Sequence, residues 1–85
     1  MLDYRIIGER LKKKRKSSGL TQEEVAELVD ITVVYLSKIE NGHVRPTRDL
    51  LCQVSEIVGI DLGDLFSNVS TNSAAYQNEK VVRMF

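Results

Sequence analysis

A chain of 85 residues, 42% of them apolar, has room for one small domain and a short extension, with a core built from Leu, Ile and Val because aromatics are few and Trp is absent. A single Cys and a single His exclude an internal disulfide and any metal site built from several such ligands, and no apolar run approaches the ~18 residues of a membrane span. The formal net charge is zero, without the basic excess common in nucleic-acid-binding domains, so any attraction for phosphate has to come from a local field.

The first helix is expected from Tyr4 to about Ser17, with Asp3 as its cap. Ile7 and Leu11 stand one turn apart on its core face, and Lys14 takes the next position of that face, its stem packed and its ammonium in solvent. Lys12, Lys13, Lys14, Arg15 and Lys16 form a basic block, either a contact to phosphate or a solvated helix end favoured by the dipole. Gly19 stops the helix and Leu20 anchors the next turn. Thr21 with Glu24 three residues on is a capping box. Behind it Val25, Ala26, Leu28 and Val29 recur at spacings of three and four, giving one apolar face on a helix of about two turns. Ala26 is small enough for a second helix to cross closely. Gln22, in the first turn, is either a solvated amide or a side chain leaning toward a phosphate and the next helix.

Asp30 is one of the few non-glycine residues that tolerates the left-handed conformation needed to leave this helix sharply. Ile31 follows as an apolar plug, and Thr32 caps the third helix. On that helix Leu36 and Ile39 share the core side with Thr32, while Val34, Ser37, Lys38 and Asn41 point the opposite way and Val33 and Tyr35 lie on the flanks. Lys38 can bond guanine acceptors or a phosphate, and Ser37 can meet either base type. The two valines offer only apolar contact, as to a thymine methyl. Tyr35 either donates its hydroxyl to a phosphate or packs its ring between helices.

Glu40-Asn41-Gly42 reads as a helix stop, and the loop His43 to Pro46 follows, with Arg45 placed to serve phosphate and His43 as a solvated loop residue. Thr47 caps a fourth helix running to Val58, with Leu51, Val54, Ser55 and Val58 on its core face and Cys52 as a buried thiol on the edge. Gly59 ends it, Asp61 caps a short fifth helix, and Leu62, Leu65 and Phe66 close the hydrophobic domain. Beyond Phe66 the composition turns to a polar linker. An amphipathic pattern then begins at Asn78 and breaks off at Phe85, which predicts either a longer protein or a tail whose Val81, Val82, Met84 and Phe85 dock on a partner protomer.

The run from Ile7 to Phe66 carries GLTQEE at Gly19–Glu24, YLSKIENG at Tyr35–Gly42, Pro46 and VGIDLGDLF at Val58–Phe66, and in these it resembles the phage-repressor or Cro-type (XRE-like) helix-turn-helix family. The resemblance implies an all-α fold, a compact five-helix bundle of the lambda-repressor-like DNA-binding type with a short C-terminal extension. Its domain would span residues 4–66, with the motif at 21–40 and with 67–85 as linker and the start of a further helix. It also implies a sequence-specific transcriptional regulator, expected to be a cytoplasmic repressor that binds a palindromic operator in double-stranded DNA as a homodimer, its third helix in the major groove and no cofactor required. In such proteins the residue matching Gln22 commonly bonds the DNA backbone and braces the recognition helix. The sequence departs from the pattern at Lys14 and Arg48, where the family often has apolar residues, and at Val33 and Val34, where it most often has polar ones. The candidate DNA contacts are Gln22, Thr32, Val33, Val34, Tyr35, Ser37, Lys38, Asn41, Arg45 and Arg48. A protein-interaction module, such as an antitoxin or regulatory partner, is the alternative that neutral charge, outward valines and an apolar tail support. No set of catalytic residues can be named, so an enzyme is not expected.

Overall fold

A computed structural model describes residues 2–69. It contains five helices: α1 (Tyr4–Ser17), α2 (Gln22–Leu28), α3 (Val33–Glu40), α4 (Arg48–Val58) and α5 (Leu62–Phe66). Each begins where a short polar side chain can satisfy a free N–H of the first turn. Asp3 accepts from Arg5 N–H at 3.0 Å, Thr32 from Tyr35 N–H at 3.0 Å, Thr47 from Leu50 N–H at 3.1 Å and Asp61 from Gly63 N–H at 3.0 Å. At α2 the capping box is complete in both directions: Thr21 Oγ1 accepts from Glu24 N–H at 3.1 Å, and Glu24 Oε1 accepts from Thr21 N–H at 2.9 Å. Partial desolvation pushes the Asp3 carboxyl up, but the hydrogen bonds and charge of Arg5 outweigh it and hold the group below the usual carboxylate range.

Helices α1, α2 and α3 end alike, while at α4 the C-cap Gly59 is itself left-handed. In the first three, the residue after the C-cap turns left-handed, and its own N–H and the one that follows return to carbonyls of the last turn. After α3 this residue is Gly42, at φ 75°, with Gly42 N–H on Ile39 and His43 N–H on Lys38. After α2 it is Asp30, at φ 59°, with Asp30 N–H on Glu27 and Ile31 N–H on Ala26 at 3.0 Å. The joint between α2 and α3 is thus a fixed turn rather than a loose loop.

One core holds all five helices. Ile7 and Leu11 of α1, Val25 and Ala26 of α2, Leu36 and Ile39 of α3, Leu51, Val54 and Val58 of α4, and Leu65 of α5 are each almost inaccessible to solvent. The α1 backbone crosses close to the end of α3. A Cβ built on Gly8 would overlap the Ile39 carbonyl oxygen and stand 2.7 Å from the Glu40 carbonyl oxygen, so the backbones meet with no room for a side chain. Polar ties close the rest of the domain. Ser18 Oγ donates to the Val58 carbonyl at 2.7 Å, and Arg10 Nη1 donates to the carbonyls of Asp64 and Leu65 at 3.1 Å each and to that of Ser67. The chain stays on the core past α5: Val69 is buried, and its carbonyl accepts from Asp3 N–H at 2.6 Å. The expected tail contacts of Val81, Val82, Met84 and Phe85 lie outside the described residues.

Four core expectations need correction: those for Leu28, Lys14, Cys52 and Leu62, the last 40% exposed because Leu65 fills the inward side of α5. Leu28 is 66% exposed rather than part of the apolar face of α2, because Val25, Ala26 and Val29 already fill the side that meets the core and Leu28 falls beyond its edge. The α1 position that follows Leu11 inward is Arg15, four residues on, and Lys14 lies exposed. Cys52 is half-buried and unpaired on the flank of α4.

Candidate nucleic-acid interface

The geometry of α2, its turn and α3 rests on a buried polar seam. Glu40, the last residue of α3, is ion-paired to Arg15 of α1, their side chains 2% and 8% exposed. The pair is bidentate, Arg15 Nε to Glu40 Oε2 at 2.7 Å and Nη2 to Oε1 at 3.1 Å, while Arg15 Nη1 donates to the Leu20 carbonyl at 2.9 Å. Gln22 Nε2, in the first turn of α2, donates to Glu40 Oε1 at 3.0 Å. Removing two charges from water is expensive, and such a pair is tolerable only where its geometry is good and its remaining donors and acceptors are satisfied. Here the pair is bidentate, each Arg15 nitrogen donates one hydrogen bond and both Glu40 oxygens accept. The seam joins α1, the turn before α2, α2 itself and the end of α3, and with the Gly8 crossing beside it α3 is fixed relative to the body.

The Gln22 limb of this seam is the brace that the family resemblance implies, whereas the Arg15–Glu40 pair is not expected from the sequence. By sequence Arg15 belongs to a basic block that is either a phosphate contact or a solvated helix end, and Glu40 to a helix stop. The usable signal was the series Ile7, Leu11, Arg15 at steps of four, which places a charge on the buried stripe and demands a partner. That partner lies 25 residues away, where no local pattern points to it.

The opposite side of α3 faces solvent. Val34 is 66% exposed and Val33 36%, and Lys38 and Asn41 are exposed as well. Ser37 is half-buried, with Asn41 Nδ2 donating to its Oγ at 3.5 Å. Thr32 is exposed and committed to capping the helix. Tyr35 is half-buried with its ring against the core. Beyond α3, Arg45 sets its guanidinium 5.9 Å from the centre of the Tyr4 ring, within cation–π range. Arg48, first residue of α4, is exposed and lines a hollow of about 360 Å³ with Leu2, Tyr4, Pro46, Leu51 and Phe66. Lys12, Lys13 and Lys16 of α1 share a second hollow with Asn41, so part of the basic block adjoins the end of α3. Val34, Ser37, Lys38 and Asn41 therefore form one edge with Val33 on its flank, Gln22 is held in the seam, and Arg45 and Arg48 belong to the loop and helix that follow α3.

Among the described residues no cluster of His, Cys, Asp and Glu could hold a metal ion, and no helix is long and apolar enough to cross a membrane.

The helix-turn-helix family HTH_3 matches residues 11–65, and the chain belongs to this XRE-like family of DNA-binding transcriptional regulators, which are not enzymes. The chain is 37% identical over 65 residues to the ImmF control region 10 kDa protein of Bacillus phage phi105, spanning 76% of this chain and 72% of that protein. The crystal structure of the clp gene regulator ClgR from C. glutamicum superposes with a TM-score of 0.72 at 29% identity, covering 78% of this chain and 85% of that one. The biofilm master regulator SinR, solved in complex with DNA, superposes with a TM-score of 0.62 at 35% identity, covering 69% and 95%.

Proposed function

We propose that this protein is a sequence-specific transcriptional repressor that lays α3 in the major groove and binds a palindromic operator as a homodimer in the cytoplasm. The single observation behind this reading is the contrast on α3: its inner face is locked by the Arg15–Glu40–Gln22 seam, while Val34 and Lys38 on its outer edge are exposed and outside the core. A helix held this rigidly with a free, chemically mixed edge suits base readout, in which the N-terminal residues of the recognition helix meet base edges. Val33, Val34, Ser37, Lys38 and Asn41 are assigned to that edge, with Thr32 and Tyr35 at its borders. Gln22, Arg45 and Arg48 are assigned to backbone phosphate, which fixes register without reading sequence. One recognition helix per protomer places half-sites about one helical turn, ~34–36 Å, apart.

Selection of bound sites from random duplex, followed by titration at moderate salt, tests this. A symmetric consensus bound at least a thousandfold more tightly than random duplex is expected, on the usual scale of specific recognition. No preference over random DNA would reject the function. On the selected site, Lys38→Ala should cost about 1–3 kcal/mol and relax one base position if Lys38 reads guanine. A uniform loss on all sequences, with the salt slope reduced by about 1, would place it on phosphate instead.

A protein-interaction module is the second reading, favoured by Leu28, which sits as exposed as Val34 and has no fold role either. Co-purification with one specific protein, without measurable DNA affinity, would support it.

A further inference from the structure

We infer that the apolar start of α3 makes this protein a reader of the pyrimidine C5-methyl group, so that its operator affinity depends on methyls that carry no hydrogen-bonding information. The inference rests on the proposal that α3 enters the major groove and names what Val33 and Val34 recognise there. They are the first two residues of α3, the end that reaches base edges. Neither is needed by the core: Leu36 and Ile39 fill the inner face, and the valines are 36% and 66% exposed. Val34 shares its stripe with Ser37, Lys38 and Asn41, at steps of three, four and seven, so it belongs to the same edge as the polar readers. An isopropyl group has no donor or acceptor, and the floor of the major groove offers it one apolar partner, the C5-methyl of thymine. A cytosine methylated at C5 carries the same methyl at the same ring position, whereas deoxyuridine keeps thymine's hydrogen-bonding edge and lacks the methyl. Helical residues at adjacent positions diverge by about 100°, so the two valines address different base pairs. One or two methyl-dependent positions per half-site follow.

The test uses the selected duplex with each thymine replaced in turn by deoxyuridine. For the intact chain, at least one position should weaken binding by about three- to fivefold, the effect of burying one methyl. At that position 5-methylcytosine paired with guanine should bind more tightly than unmodified cytosine by a similar factor. Val34→Ala or Val33→Ala, exposed changes that leave the fold intact, should bring the thymine-to-deoxyuridine ratio at one position to near one, whereas Lys38→Ala should leave that ratio unchanged. Tight binding to the selected site with no deoxyuridine effect anywhere overturns the inference while leaving the regulator reading standing. So does a deoxyuridine effect that survives both valine substitutions. Failure to select any site overturns both, and full affinity in Val34→Ala together with loss of a protein contact would move the valines to a partner surface.

Discussion

The two faces of α3 are opposites in physical character. Toward the body, within one helical turn, lie a backbone crossing too close for a methyl group at Gly8 and a buried, bidentate ion pair with each carboxylate oxygen hydrogen-bonded. Toward solvent, within the same eight residues, Val34 and Lys38 touch nothing that the fold requires. The difference teaches how such a helix divides its labour. Orientation is set by buried, fully engaged groups, and the exposed side chains opposite can change without cost to the fold.

Substitutions on the inner face should therefore break stability and binding together. The largest effect is expected from Arg15→Met, which leaves Glu40 buried beside a single neutral donor and should cost about 3–5 kcal/mol in denaturant unfolding. Replacing both partners, as Arg15→Met with Glu40→Leu, should recover most of that loss, since well-packed apolar groups often match a buried pair. A double variant no more stable than the single would show that the ion pair itself supplies net stability. Next, Gly8→Ala should destabilise by roughly 1–3 kcal/mol through overpacking against the carbonyls of Ile39 and Glu40, although alanine is the better helix former. A rise in melting temperature would mean that α1 and α3 can move apart freely. The smallest effect belongs to the outer surface: Leu28→Lys should change stability by no more than about 0.5 kcal/mol, because the side chain is 66% exposed.

What the sequence disclosed depended on range. The caps at Thr21, Thr32, Thr47 and Asp61, the left-handed Asp30 and the inward pairs Ile7 with Leu11 and Leu36 with Ile39 are all local chemistry, decided within a turn of helix, and the structure contains each of them. Leu28 shows where periodicity misleads. A spacing of three admits it to the apolar face, but α2 has only seven residues, and the packing of its neighbours decides which edge of that face is covered. The partner of Arg15, the crossing at Gly8 and the tie of Arg10 to the end of α5 are invisible for a different reason: each partner is 25 to 57 residues away, and a charge or glycine within α1 carries no address. On the outer edge of α3, spacing alone assigned Val34, Lys38 and Asn41 to the exposed side, because that face is defined by what the core leaves over.

The division between the two faces is tested most directly by one variant measured twice, Val34→Glu, in thermal melting and in titration with the selected duplex. An exposed position should accept the carboxylate with melting almost unchanged, while a negative charge brought against DNA should cost several kcal/mol of binding, on the order of a hundredfold or more in affinity. Full affinity for the operator in a variant that melts like the parent would contradict the placement of α3 in the groove.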